Sequence, residues 1–331
     1  DGDGDGDKLD VLGDGDGDGD GDGDGECESI SKTAENKLVP ADILFALDNS
    51  GSMDFEMNAV QSNMNGFSQQ IFLANIDAHV VIISSYGNND GVCIAPPLGA
   101  NGGCPSDDNN PPIYKHVDDK VGSTNAFEKI LANHDNWKDM FREESIKHVI
   151  VVSDDDSDMS KNDFDAQFKA LDPSYQDYIF HSIVASNPPY LPPCVAISAE
   201  KGKEYIDLTD DKNGVYGDLC DQDFKPVFDA ISVKVQNEAP LACEWDIPEP
   251  PEGETFDKDK VNVELTINNM PTEIGYVDSL ADCGGVVDGW YYDDYANPTK
   301  ILFCPQTCTK AQGAMGATVD IKFGCATIPA G

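Results

Sequence analysis

Four short stretches constrain this chain more than anything else in it. In "ADILFALD", "AHVVIISSYG", "KHVIVVSD" and "YIFHSIVAS" nearly every interior position is apolar, without the alternation of a sheet that faces water on one side. Strands of that kind are buried on both faces, which calls for a mostly parallel sheet with helices packed above and below. Segments of helical period lie between them. "EMNAVQSNMNGFSQQIFLA" puts Val60, Met64, Phe67 and Ile71 on one side, and "DFDAQFKALD" does the same with Phe164, Phe168 and Leu171. "DFKPVFDAISVKVQN" reads as a closing helix and "EYIDLT" as a shorter strand. The order predicts an α/β, doubly wound, mostly parallel sheet over residues 38–238.

The flanks differ in kind. The acidic segment 1–26 is almost pure Asp and Gly up to residue 25, broken only by Lys8-Leu9 and Val11-Leu12, and ends in Glu26. With so little apolar surface to bury, this segment is expected to be a disordered, self-repelling acidic tail or tether, for example to a lipid anchor. Calcium is the sharper reading of its repeated D-x-D-x-D-G. An EF-hand loop needs a Glu at its twelfth position, and loops starting at Asp14 or Asp1 place Gly25 or Leu12 there. Weak multi-site calcium association is what remains. Residues 239–331 begin with the proline-rich "PEPPEGETFDKDK", after which "VNVELTIN", "GWYYDDY", "KILFC" and "ATVDIKFGC" read as strands and "PQTCTKAQGA" as a short helix. A small, mainly β, disulfide-rich region is expected, with Trp290 and Tyr292 in its core. Two insertions, 87–120 and 187–203, are expected to be long loops.

The formal charge of −41 rules against nucleic acid, which requires Lys and Arg to displace counterions, and against anionic membrane surfaces. No stretch of about 18 apolar residues, the length needed to span a membrane, occurs in the sequence. The ten cysteines lack paired C-x-x-C spacing, so five disulfides in an oxidising compartment are expected. Cys93–Cys104 would close a short loop, Cys194–Cys220 would join two segments flanking one insertion, and Cys27–Cys243 would tie the ends of the α/β part. Cys283, Cys304, Cys308 and Cys325 then allow three pairings. With an Asp at position 1 and no apolar leader, the chain reads as a processed, secreted or surface-displayed protein.

The first apolar strand ends in Asp48, followed by Ser50 and Ser52 in "DNSGS". Ligands of doubly wound sheets bind beyond the carboxyl ends of the strands. A carboxylate and two hydroxyls converging there are hard oxygen donors suited to Mg²⁺, Mn²⁺ or Ca²⁺. "HVIVVSDDDSD" adds Asp154 at the end of another strand, and "KVGSTNAFEKIL" adds Thr124, with Ser123 as the alternative. Serines that merely cap the next helix would not explain both acids at strand ends.

This set, Asp48, Ser50, Ser52, Thr124 and Asp154, resembles the metal-ion-dependent adhesion site (MIDAS) of von Willebrand factor A (VWA) domains, over residues 38–238. Where that family reads T-D-G, this chain has Ser153-Asp154-Asp155, and Asp155, Asp156 and Asp158 add further acid. The resemblance implies a VWA/Rossmann-like fold and a bound divalent cation. It also implies a protein partner whose carboxylate completes the ion's shell. The tail "GWYYDD…ILFCPQTC…FGC" is similar to that of cysteine-rich secreted bacterial VWA proteins, which implies a bacterial surface.

Enzymatic readings have less to stand on. Neither a G-x-S-x-G elbow nor a P-loop occurs, and the five histidines are dispersed, with His79, His148 and His181 expected as satisfied core or edge residues. The expected function is therefore adhesion-type ligand binding. The alternative is a structural surface-layer, filament or matrix subunit that self-associates with calcium.

Overall fold

The computed structural model describes residues 30–33, 38–86, 91–186, 198, 200–239, 242–247, 256–314 and 317–331. The expected tail 1–26 and a Cys194–Cys220 pairing lie outside them.

Strand β1 (Ile30–Thr33) belongs to a second sheet described below. The first sheet consists of β2 (Ala41–Leu47), β3 (Ala78–Ser84), β4 (Tyr114–Asp118), β5 (Ile146–Ser153), β6 (Ile179–Val184) and β7 (Tyr216–Asp218). Their order is β4-β3-β2-β5-β6-β7, and every neighbouring pair is parallel. Successive side chains of β2 go to opposite faces, as strand geometry requires. Ile43, Phe45 and Leu47 join one core with Val60, Met64 and Phe67 of α1 (Asp54–Leu73) and Phe228 and Ile231 of α6 (Lys225–Glu238). Leu44 and Ala46 join the other, with Phe127 of α2 (Ala126–Ala132), Trp137 of α3 (His134–Trp137), Phe164 and Phe168 of α4 (Lys161–Leu171), and Leu208 of α5 (Lys203–Asp211). Each fully buried large apolar side chain contributes roughly 1.5–3 kcal/mol. The α/β fold expected from the strand pattern is thus the observed one.

Two elements differ from expectation. "EYIDLT" is the core of helix α5, because Tyr205 and Leu208, three apart, are buried while Ile206 is only half-buried. Tyr114–Asp118, expected within a loop, is an edge strand. Its polar Lys115, His116 and Asp118 hide it from a search for apolar runs.

The second sheet contains β1, β8 (Glu244–Asp246), β9 (Val261–Ile267), β10 (Met270–Tyr276), β11 (Gly289–Tyr292), β12 (Lys300–Phe303) and β13 (Thr318–Phe323). Its order is β1-β13-β9-β10-β11-β12-β8, antiparallel except between β10 and β11. Helix α7 (Pro305–Gln312) follows β12. Asn268 and Asn269, with φ of 52° and 61°, make the two-residue turn of the β9–β10 hairpin, where both residues must be left-handed. Trp290 and Tyr292 are buried in the core with Trp245, Leu265 and Ile301. The strand at Ile30–Thr33 lies far from the rest of this sheet in sequence, and no reading of the N-terminal segment placed it there.

Disulfides join Cys93 to Cys104, Cys243 to Cys308 and Cys283 to Cys304. Cys243 is therefore not the partner of Cys27, and the last four cysteines do not pair only among themselves. The physical reason is the β8–β12 pairing: Cys243 immediately precedes β8, and Cys308 sits in the helix that follows β12. Cys220 and Cys325 are also disulfide-bonded.

Candidate metal centre

Strands β2 and β5 are neighbours, but the chain leaves β2 toward β3 and β4 on one side and returns to β5 on the other. That reversal opens a crevice at their carboxyl ends. Asp48 and Asp154 are the residues that follow the two strands, and both are buried. The backbone carries them there: Asp48 N–H donates to the Val152 carbonyl at 2.9 Å, continuing the sheet one residue beyond β2.

The turn after β2 is shaped by Asp48 itself. Its Oδ1 accepts from the Ser50 backbone N–H at 2.9 Å, and its Oδ2 accepts from the Ser153 hydroxyl at 2.8 Å. Each oxygen keeps a lone pair. The Ser50 and Ser52 hydroxyls lie 3.2 Å apart on the open side. Asn49 clamps the loop that carries Thr124. Its N–H donates to the Val121 carbonyl at 3.0 Å, and its Oδ1 accepts from Val121 N–H at 2.9 Å.

Thr124 is turned toward a neighbour. Its hydroxyl donates to Asp158 Oδ2 at 2.7 Å, and Asp158 N–H donates back to the Thr124 carbonyl at 2.9 Å. A hydroxyl that gives its proton to a carboxylate still has lone pairs to offer, so Asp158 orients Thr124 rather than occupying it. Ser123 offers its backbone instead: its carbonyl accepts from the Ser153 hydroxyl at 3.1 Å. The structure thus links Asp48 with Ser50, and Asp154 with Ser52 and Asp48; it fixes Thr124 to Asp158, next to the Ser123 carbonyl that shares the Ser153 hydroxyl with Asp48. The orienting role of Asp158 has no sequence signal beyond its membership of an acidic run.

The electrostatics are unfavourable without a cation. Burial, and then the nearby Asp48 charge, push Asp154 up to about 7, against a pull from the Ser52 hydroxyl that favours the charged form. Burial also raises Asp155 and Asp156. Asp154 Oδ1 is buried with no hydrogen-bond partner. A buried carboxylate oxygen left without a donor costs on the order of 1–3 kcal/mol or more. This orphaned atom beside a second carboxylate and two hydroxyls is what a hard divalent ion would satisfy, so the residues fit one.

A different constellation escaped the sequence reading altogether. His116 Nε2 lies 2.9 Å from Ser84 Oγ, and its Nδ1 lies 3.0 Å from Asp108 Oδ1. The connectivity is that of a Ser–His–Asp nucleophile. Ser84, however, has no exposed surface, and its own carbonyl lies 3.1 Å from the same Nε2. Asp108 also accepts from Ile94 N–H and the Tyr114 hydroxyl. The cluster is a strut that fastens the Cys93–Cys104 insertion to the β3–β4 edge. Cys93, Cys104 and Asp108 also bring ligand-type atoms close together, but the two sulfurs are bonded to each other.

No family model matches the chain, and neither does any curated protein. Among solved structures it is similar to the manganese-loaded TRAP protein of Plasmodium vivax. The identity is 13%, over 84% of this chain and 98% of that one, with a TM-score of 0.30. A likeness that loose carries no argument about this site. Among the described residues no helix is long and apolar enough to cross a membrane.

Proposed function

We propose that this chain is an extracellular adhesion-type binding protein that recognises a carboxylate-bearing protein partner through a divalent cation. The observation that supports this most directly is the buried, unpartnered Oδ1 of Asp154, whose carboxyl group feels the charge of Asp48 at the reversal point of the parallel sheet. Asp48, Ser50, Ser52 and Asp154 would hold the ion, and Thr124 would join them with its hydroxyl proton still given to Asp158. When bound, Mg²⁺, Mn²⁺ or Ca²⁺ supplies a positive centre for an incoming carboxylate. Two protein carboxylates against three hydroxyls leave that centre electron-poor. The exposed Ser52 and the Gly51 beside it keep the outer side of the loop open to a partner.

The −41 charge opposes an acidic partner at long range. The Debye length is only about 8 Å at physiological salt, so local charge decides. The disulfides support an oxidising, extracellular setting.

The test is thermal unfolding of the chain with Mg²⁺, Mn²⁺ or Ca²⁺, beside Asp48→Ala. At about 100 times the dissociation constant, binding adds roughly 2.7 kcal/mol to the native state. The wild type is expected to melt higher with one of these ions and Asp48→Ala to ignore it. Equal responses would mean that the ions screen diffuse acid, leaving calcium-assisted structural assembly as the better reading.

A further inference from the structure

The carboxyl ends of the parallel strands stand in one row. Ser153 lies opposite Val184, and Val184 opposite Asp218. Asp218 is therefore two strand spacings, about 10 Å, from the end of β5. Beyond it the chain turns and enters α6. Between that turn, β7 and α6 lies a groove of about 540 Å³. Ile183, Val215, Phe224, Pro226 and Val227 give it apolar walls, and its charged residues are Asp218, Asp221 and Asp223. Among the described residues that line it there is no Lys or Arg.

The groove is held in shape by contacts of its own. Asp218 Oδ1 accepts from the Cys220 backbone N–H at 3.0 Å, and its Oδ2 accepts from the Ser186 hydroxyl at 2.5 Å. Cys220 is disulfide-bonded. Gln222, left-handed at φ 52°, donates from Nε2 to the Leu219 carbonyl at 2.7 Å and to Glu56 Oε1 at 2.8 Å. Gly217 is so close to α6 that a Cβ there would fall 2.6 Å from Val227 Cγ2. Asp221 and Asp223 take no part in this bracing. Both are exposed, and among the described residues neither side chain has a hydrogen bond or an ion pair. Lys225, the nearest cation in sequence, gives its ammonium to Asp229 at 2.7 Å.

We propose that this groove receives a Lys or Arg side chain from an extended segment of a partner protein. Such side chains lay an aliphatic stem on apolar surface and keep a charged head at the water's edge. That is the order in which the groove offers its surfaces: apolar walls, then the carboxylates of Asp221 and Asp223. An acidic ligand would be repelled there, and a purely apolar one would cover carboxylates without pairing them. Among the described residues β7 is the last strand of its sheet, so an extended segment can lie along it. The site needs no metal ion and does not rest on the metal reading.

The test uses the full ¹⁵N-labelled chain in about 0.15 M NaCl, where charges more than about 8 Å apart are largely screened. The probe is acetyl-Gly-Val-Arg-Val-Gly-amide, beside the same peptide with citrulline, which keeps the shape of arginine without its charge. The arginine peptide should shift the amide resonances of residues 215–230 saturably, with or without EDTA. The citrulline peptide should bind about fivefold or more weakly, and so should the arginine peptide with an Asp221→Asn, Asp223→Asn chain. Ala230→Trp, at an exposed helical position that lines the groove, should block binding by filling it. Amide spectra unchanged outside the groove show that each variant is folded. Equal binding of the two peptides, shifts scattered over the acidic surface, or an affinity that survives these substitutions would overturn the assignment. Loss of the shifts with EDTA would also overturn it, and would leave the metal reading standing.

Discussion

Asp154 concentrates the chemistry of this chain in one side chain. Its carboxylate is driven up to about 7 by burial and by Asp48, and one of its oxygens has no donor. Asparagine at that position keeps the shape and removes a charge from a crowded acidic site. Asp154→Asn is therefore expected to melt no lower than the wild type without metal, and to lose the metal-induced rise. A differential scan with and without Mn²⁺ checks both halves, and a preserved rise would remove Asp154 from the ligand set. Much of this was legible in sequence, because a buried strand that runs straight into an acid leaves it at the carboxyl edge of the sheet. The Ser153 support for Asp48 and the Asp158 hold on Thr124 were not legible, since both depend on how loops from distant strands meet. Ser84, His116 and Asp108 were hidden for the same reason: only the pairing of β3 with β4 brings them together.

At the scale of elements, β5 and β6 carry a buried histidine pair with a pH consequence. Val215 N–H donates to His181 Nδ1 at 3.0 Å, so the His181 proton sits on Nε2 and is directed to His148 Nδ1, 3.1 Å away. Burial, with Lys234 adding to it, lowers His148 to about 3, and burial, the His148 charge and Lys234 hold His181 well below its ordinary value. Both groups bind fewer protons folded than unfolded below about pH 6.5. Their contribution is thus fully present above that pH and is lost as pH falls, by up to about 1.4 kcal/mol per pH unit for each histidine. Asp154, raised to about 7, works in the opposite sense over the same range, so the pair is read by difference: between pH 7.0 and 5.0 in denaturant unfolding the wild type should lose more stability than His148→Leu, and equal slopes would clear the pair. Among the elements, those with strong periodicity were legible: β2, β3, β5 and β6, and helices α1, α4 and α6. β4 and α5 were not, because one is a polar edge strand and the other is short enough for its Tyr205–Ile206 pair to pass as strand.

Across the whole molecule the second sheet takes its edge strand from the far end of the chain. Ile30 lies opposite Phe323 and Thr33 opposite Asp320, so β1 covers β13. Without it, β13 would present unpaired backbone groups, which favours pairing between chains. A chain beginning at residue 38 is expected to unfold more readily than one beginning at residue 28, and to run as larger species in size-exclusion chromatography. Identical behaviour would make β1 dispensable. This arrangement, like the Cys243–Cys308 bridge across a separation of 65 residues, could not be derived from local pattern, because neither partner carries information about the other.

The same pairing closes the chain on itself. β1 stands at the start of the described residues and β13 near their end, and the register, Ile30 opposite Phe323, keeps the two ends side by side. Whatever is attached to one end is therefore held beside the other, and both are set apart in sequence from the loops after β2 and β5 that carry Asp48 and Asp154.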